Sequence, residues 1–318
     1  MKHILLMITL TLALMAGDSP YFDQAADAYA KKEYKKAFKL YEKAIDNKGW
    51  SGAKYRLGIM YELGQGVEKN RKLAVKWYKE SAQQDFADAQ LEMGNRYFDG
   101  NGVLKDYKEA VKYYTKAAKQ GLDSAQHNLA LRYNNGEGVL KDYKEAVYWY
   151  TKAAEQGLVD SQHNLALRYY KGEGVKKDYK KAVYWYTKAA KQGLADSQNN
   201  LALRYKKGQG VLKDYKQAIY WYKKAAAQDD AVAQDGLAQM YEDGLGTLKD
   251  YKKAIYWYTK AIKNGSVNSK CNMIVPMLES DSSRKNKEKA KAQIKSAYEE
   301  TDYSYCKTMW DKYKLFNY

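Results

Sequence analysis

Residues Leu129–Gly157 read LALRYNNGEGVLKDYKEAVYWYTKAAEQG, and this stretch decides the fold. With Ala125 ahead of it, its first half places Ala125, Leu129, Ala130 and Tyr133 at i, i+4, i+5 and i+8. That is the apolar stripe of an amphipathic helix. Gly136 and Gly138 stop the helix by supplying backbone angles that other residues resist, and Val139 tacks the loop down. Asp142 then has the character of an N-cap, with Glu145 at capping-box spacing. A second helix follows and turns Ala146, Val147, Tyr150, Ala153 and Ala154 inward, with Tyr148 outward, until Gly157 ends it. The alanines let neighbouring helices approach, and the tyrosines fill the space between them.

The same text recurs every 36 residues. Trp77, Tyr113, Trp149, Trp185, Trp221 and Trp257 keep that interval, as do Tyr61, Tyr97, Tyr133, Tyr169, Tyr205 and Tyr241. Alanine returns at 74, 110, 146, 182, 218 and 254, and the glycine pair at 64/66, 100/102, 136/138, 172/174, 208/210 and 244/246. Ser124 shares a column with Asp88, Asp160, Asp196 and Asn268, a set expected to cap the first helix of each unit. Six units follow one another from Ser51 to about Ser266 without insertion. A fixed period of this length signals a solenoid, because one unit alone cannot bury its apolar face.

The string Leu129-Ala-Leu-Arg-Tyr-x-x-Gly-x-Gly-Val-x-x-Asp-Tyr-x-x-Ala-x-x-Trp-Tyr-x-Lys-Ala-Ala-x-x-Gly resembles the Sel1-like repeat, a relative of the tetratricopeptide repeat. The resemblance implies an all-α, right-handed α-solenoid of stacked helix–turn–helix repeats. Residues 18–50 keep the pattern in Tyr29, Tyr34, Ala37, Tyr41 and Ala44 but lack the Gly-x-Gly loop. They are similar to a plain tetratricopeptide unit and are expected to cap the N-terminal end. Over 267–318 the pattern decays: Met273 and Met277 replace Leu and Tyr, Pro276 interrupts, and Ser280 to Lys291 is polar. A degenerate repeat and a closing helix are expected there.

The chain's ends carry further expectations. Lys2 and His3 precede an apolar run from Ile4 to Met15 and then small residues, the pattern of a secretory signal peptide over residues 1–17. The run is short for a bilayer span. Processing would leave no integral membrane segment, and the mature protein would be exported, periplasmic or secreted. Two cysteines, Cys271 and Cys306, are then expected as one disulfide, with two buried free thiols as the other reading.

Lysine and arginine number 55 against 38 acidic residues, a net charge of +17. The lysines are dispersed among acids, which describes a solvated outer face rather than a nucleic-acid patch. No nucleic-acid partner is therefore expected. Trp77, Trp149, Trp185, Trp221 and Trp257 at this spacing on second helices are expected to pack between repeats. Arg96, Arg132, Arg168 and Arg204 form a ladder expected to lay their stems on the aromatic core and pair with local acids. A clamp for carboxylates or phosphates is the functional alternative for them.

His127 and His163 lie 36 residues apart in one column with Tyr55, Leu91, Asn199 and Asp235. Two imidazoles at helix-to-helix distance are too few ligands for a metal, so neither a metal nor a cofactor is expected. The resemblance to tetratricopeptide folds puts this column on the concave side. It continues one turn on to Leu131, Leu167 and Leu203, then to Asn134, Tyr170 and Lys206. These nine residues, His127, Leu131, Asn134, His163, Leu167, Tyr170, Asn199, Leu203 and Lys206, form the candidate groove for a protein or peptide partner. Catalytic signatures are missing. Ser-x-x-Lys occurs at Ser51/Lys54, Ser282/Lys285 and Ser304/Lys307, without the motifs that accompany it in β-lactam enzymes. The resemblance accordingly implies a monomeric, non-enzymatic scaffold. The alternative is β-lactam binding or weak hydrolysis of the cysteine-rich Sel1-like type, whose members carry a disulfide in every repeat. The six regular units here contain no cysteine.

Overall fold

A computed structural model describes residues 20–48, 50–281, 288–292 and 295–296. The expected signal segment and Cys306 lie outside the described residues, as does most of the closing segment. The chain divides into two compact units, residues 1–149 and 150–318. Among the described residues both are helical throughout, with no strand.

In the first unit, α1 (Pro20–Ala30), α2 (Tyr34–Lys48), α3 (Ser51–Leu63), α4 (Arg71–Gln83), α5 (Ala87–Asp99), α6 (Tyr107–Lys119) and α7 (Asp123–Asn135) each pack on the next. Helix α8 (Tyr143–Glu155) carries the boundary between the units. The stripe drawn from the sequence is the core: Ala110, Ala117, Ala125 and Leu129 are sealed, and Tyr133, Val139 and Trp149 pack half-buried against them. On α1 and α2, Ala25, Ala37, Tyr41 and Ala44 are buried in the same manner.

The second unit repeats the scheme. Helices α9 (Val159–Lys171), α10 (Tyr179–Lys191), α11 (Ala195–Lys207), α12 (Tyr215–Ala226), α13 (Ala231–Asp243) and α14 (Tyr251–Lys263) pack in succession. Two short helices, α15 (Asn268–Asn272) and α16 (Ile274–Ser280), lie against α14. The break falls at Met273, not at Pro276. The proline sits in the first turn of α16, where its missing N–H costs no helical hydrogen bond.

The loop between paired helices works by three devices. Gly136 adopts φ 76° and returns its N–H to the Arg132 carbonyl. Gly138, at φ 77°, lies so close to the preceding repeat that a Cβ there would stand 2.2 Å from the Tyr107 carbonyl oxygen. Asp142 Oδ1 accepts from the N–H groups of Lys144 and Glu145 at 2.8 and 3.2 Å. The capping box is only half built, because the Asp142 N–H donates to the Tyr133 carbonyl at 2.9 Å. The same bond recurs from Asp106 to Tyr97, Asp178 to Tyr169, Asp214 to Tyr205 and Asp250 to Tyr241.

One expectation is corrected here. Ser124 and its column do not cap the first helices. The N-cap of α7 is Leu122, with no side-chain cap, and Leu158 and Leu194 repeat this on α9 and α11. Leu122 packs on the core, so apolar burial takes the position that a capping oxygen would otherwise hold. The column of Ser124 stands one residue inside the helix, where Asp160 and Asp196 still favour its positive end. Asp230 alone among these starts caps α13 with its own side chain.

Cys271 is fully buried in α15. If it is joined to Cys306, the protein unfolded without reductant will show no reactive thiol. Two reactive thiols would end the idea. The bridge would close a loop of about 35 residues, a contribution of about 4 kcal/mol on the chain-entropy model.

Candidate functional site

All nine groove residues are half-buried. In the first unit His127, Leu131 and Asn134 follow one face of α7, and Asn134 Nδ2 donates to Asn135 Oδ1 at 2.8 Å. In the second unit His163, Leu167 and Tyr170 on α9 stand beside Asn199, Leu203 and Lys206 on α11. The two helices are joined there by side chains. His163 Nδ1 lies 2.8 Å from Ser197 Oγ, and its ring meets Tyr186 edge-on at 5.6 Å. Burial lowers the imidazole pKa, against the pull of Asp196 and Asp160. His163 is therefore a neutral group turned partly into the joint between repeats. Asp235, one column-mate further, makes the same joint to Ser269 Oγ at 2.6 Å.

The last column also reaches across to the next repeat. Lys206 Nζ donates to Gln239 Oε1 at 3.1 Å, and burial lowers its pKa. The Tyr170 ring lies against the Arg204 guanidinium at 4.1 Å and packs against Tyr179 at 5.6 Å. Leu131, Leu167 and Leu203 occupy the middle of these faces, with polar or aromatic groups on either side.

The arginine ladder is buried, as its structural reading required. Arg96 pairs with Glu62 at 2.6 Å and Glu92 at 2.8 Å, and its guanidinium lies 4.7 Å from the Tyr78 ring. Arg132 pairs with Glu137 at 3.2 Å over the face of Phe98, and Arg168 pairs with Glu173. Arg204 has no acidic partner among the described residues.

The sequence reading passed over a second ladder. Gln90, Gln126, Gln162, Gln198 and Gln234 are buried, and each Nε2 donates to the carbonyl of an alanine eight residues back. Gln90, Gln162 and Gln198 each accept from the glutamine 30 residues on, and Gln234 from Asn264. The 36-residue recurrence of Gln was visible, but a polar residue beside a core stripe reads as solvated until its partners are known. On the second helices, Trp185 and Trp221 are buried, whereas Trp149 and Trp257 are half-buried. Beside them Tyr184, Tyr220 and Tyr256 are exposed, each edge-on to its tryptophan.

Lys54 of the first Ser-x-x-Lys is tied to Glu80 at 3.3 Å, and the other two pairs lie outside the described residues. Among the described residues no cluster of His, Cys, Asp or Glu is placed to hold a metal, and no helix is long and apolar enough to cross a membrane.

The Sel1 repeat family model matches residues 21–48, 51–86, 87–122, 123–158, 159–194, 195–230 and 231–266. It thus takes the first helical pair as a repeat as well. Among solved structures, the chain is similar to a Sel1 repeat protein from Oxalobacter formigenes, with 35% identity and a TM-score of 0.64. That match covers 77% of this chain and 97% of the other. It is also similar to c5321, a protective antigen present in uropathogenic Escherichia coli strains and displaying an SLR fold. Identity there is 32% and the TM-score 0.84, over 92% of this chain and only 64% of the antigen's length. No curated protein matches the chain.

Proposed function

Since the chain belongs to the Sel1 repeat family, whose solenoids are scaffolds of the protein-interaction type, we propose that it binds a protein or peptide segment along its first helices, outside the cytoplasm, and catalyses nothing. The observation that carries this reading is the composition of one helical face in successive repeats. His163, Leu167 and Tyr170 on α9, and Asn199, Leu203 and Lys206 on α11, are all half-buried, with leucine at the centre and hydrogen-bonding groups at its sides. Apolar contact at the centre gives affinity, and polar groups beside it fix register. The signal-like segment at residues 1–17 supports export, and likeness to a bacterial protective antigen agrees with it.

The test begins with peptides selected from a random display library against the mature protein. Leu167→Glu and Tyr170→Ala are each expected to weaken the selected peptides more than tenfold while the helical signal survives. Unchanged affinity in both variants would move the site elsewhere, first to the lysine-rich outer face.

A further inference from the structure

Three positions around each buried arginine could supply a carboxylate: four residues before it, five residues after it, and the overlying residue of the preceding repeat. For Arg96 these are Glu92, Asn101 and Glu62, and both glutamates pair with it. Glu137 answers Arg132 and Glu173 answers Arg168, each from five residues on. For Arg204 the three positions hold Asn200, Gln209 and Tyr170, all neutral. Arg204 is nevertheless 2% exposed, and unlike the other three it pairs with no carboxylate among the described residues; its Nη1 is sealed without a hydrogen-bond partner, and its Nε likewise, as in Arg132 and Arg168. A buried charge left without its counter-charge is strongly unfavourable, so a site of this kind gains by acquiring an anion.

The groups that act on Tyr170 add positive charge. Arg204, by hydrogen bonding and by charge, lowers the pKa of the Tyr170 phenol against its burial, and Lys207 and Lys177 add to the effect. Both lysines are exposed, and Tyr170 is half-buried over the guanidinium. We propose that Arg204, Tyr170, Lys177 and Lys207 form a carboxylate-binding site, filled by an aspartate or glutamate side chain of the bound segment. The inference rests on the groove reading, because Tyr170 belongs to that face. The lysines attract the carboxylate, the Tyr170 ring turns aside as the cover, and the guanidinium fork receives both oxygens. Ligand and arginine then reproduce the pair that Glu173 makes with Arg168 inside the chain.

The experiment follows the arginine Nε–H resonances of the mature protein during titration with acetyl-Gly-Glu-Gly-amide. Acetyl-Gly-Gln-Gly-amide and inorganic phosphate are the comparison probes. The Arg204 signal is assigned by its loss in Arg204→Met, a replacement the fold accepts because Met60 and Met240 hold the same column. The glutamate probe should shift that signal saturably, at least tenfold more tightly than the glutamine probe. Gln209→Glu, which copies Glu137 and Glu173, should supply the acid internally and weaken the probe at least tenfold. A silent Arg204 signal, equal binding of the two peptides, or unchanged affinity in Gln209→Glu would overturn the proposal. Tighter saturation by phosphate would overturn the carboxylate assignment. Failure of the groove alone would look different: selected peptides would ignore Leu167→Glu while the glutamate probe still shifted Arg204. Failure of this site alone would leave selected peptides bound but without acidic preference.

Discussion

Tyr186→Ala is expected to cost about 3–5 kcal/mol, the range for deleting a buried aromatic side chain. Tyr186 is 1% exposed, and burial pushes its phenol up to about 12. The ring contacts His163 edge-on and lies between alanines 182 and 189, which are wholly buried. Tyr184, two residues earlier, is 53% exposed and leans on Trp185 and Lys188. Its replacement by alanine should cost under about 1 kcal/mol, the scale of an exposed cation–π contact. Urea midpoints of the two variants make the comparison. Equal losses would show that the helix has been phased wrongly.

Gly138→Ala should be about as damaging, for a different reason. The new Cβ would stand 2.2 Å from the Tyr107 carbonyl oxygen and 2.4 Å from its carbon, both backbone atoms that cannot turn away. The left-handed conformation adds about 1–2 kcal/mol, and overpacking about 1–3 kcal/mol, for a total of about 2–5 kcal/mol. Gly121→Ala is the control. It too has a positive φ, 94°, but no atom lies within 4 Å of its added Cβ. There only the backbone strain of about 1–2 kcal/mol remains. A Gly121 variant as unstable as the Gly138 variant would remove close approach between repeats as the reason for the second glycine.

The fold was legible because its signals were redundant. Ala146, Val147, Tyr150 and Ala153 are inward by periodicity, and their equivalents say so again every 36 residues. The N-cap of the first helix was misread because Ser124 and Asp160 have capping chemistry, whereas Leu122 and Leu158 have the burial that decides the turn. Buried glutamines were missed for a related reason. A residue such as Gln162 reads as polar, and only its distance to the Ala154 carbonyl shows that it belongs to the interior. The histidine column was found, but not its inward commitment, since Ser197 lies 34 residues away and no local pattern links it to His163. The unanswered arginine could have been read directly. Gln209 stands where Glu137 and Glu173 stand, Asn200 where Glu92 stands and Tyr170 where Glu62 stands, and the three neutral residues together are the signal.

The glutamine ladder also bears on how such a chain can change its length. Gln198 donates to the Ala190 carbonyl, and Gln228 donates to the Gly193 carbonyl. Excision of residues 195–230 would deliver Gln234 to the Ala190 carbonyl and keep the bond that Asn264 donates to Gln234, so the joint could close again. A cut that is not a whole number of periods would strand them, because a helix advances out of phase and the buried amides lose their acceptors. Deletion and duplication are therefore quantised, with one period as the smallest step the interior tolerates. That particular cut would still alter the surface. It would set Met240 beneath Tyr170 in place of Arg204 and Ala233 opposite His163 in place of Ser197. Recombination between near-identical repeats can thus edit specificity while leaving the architecture whole.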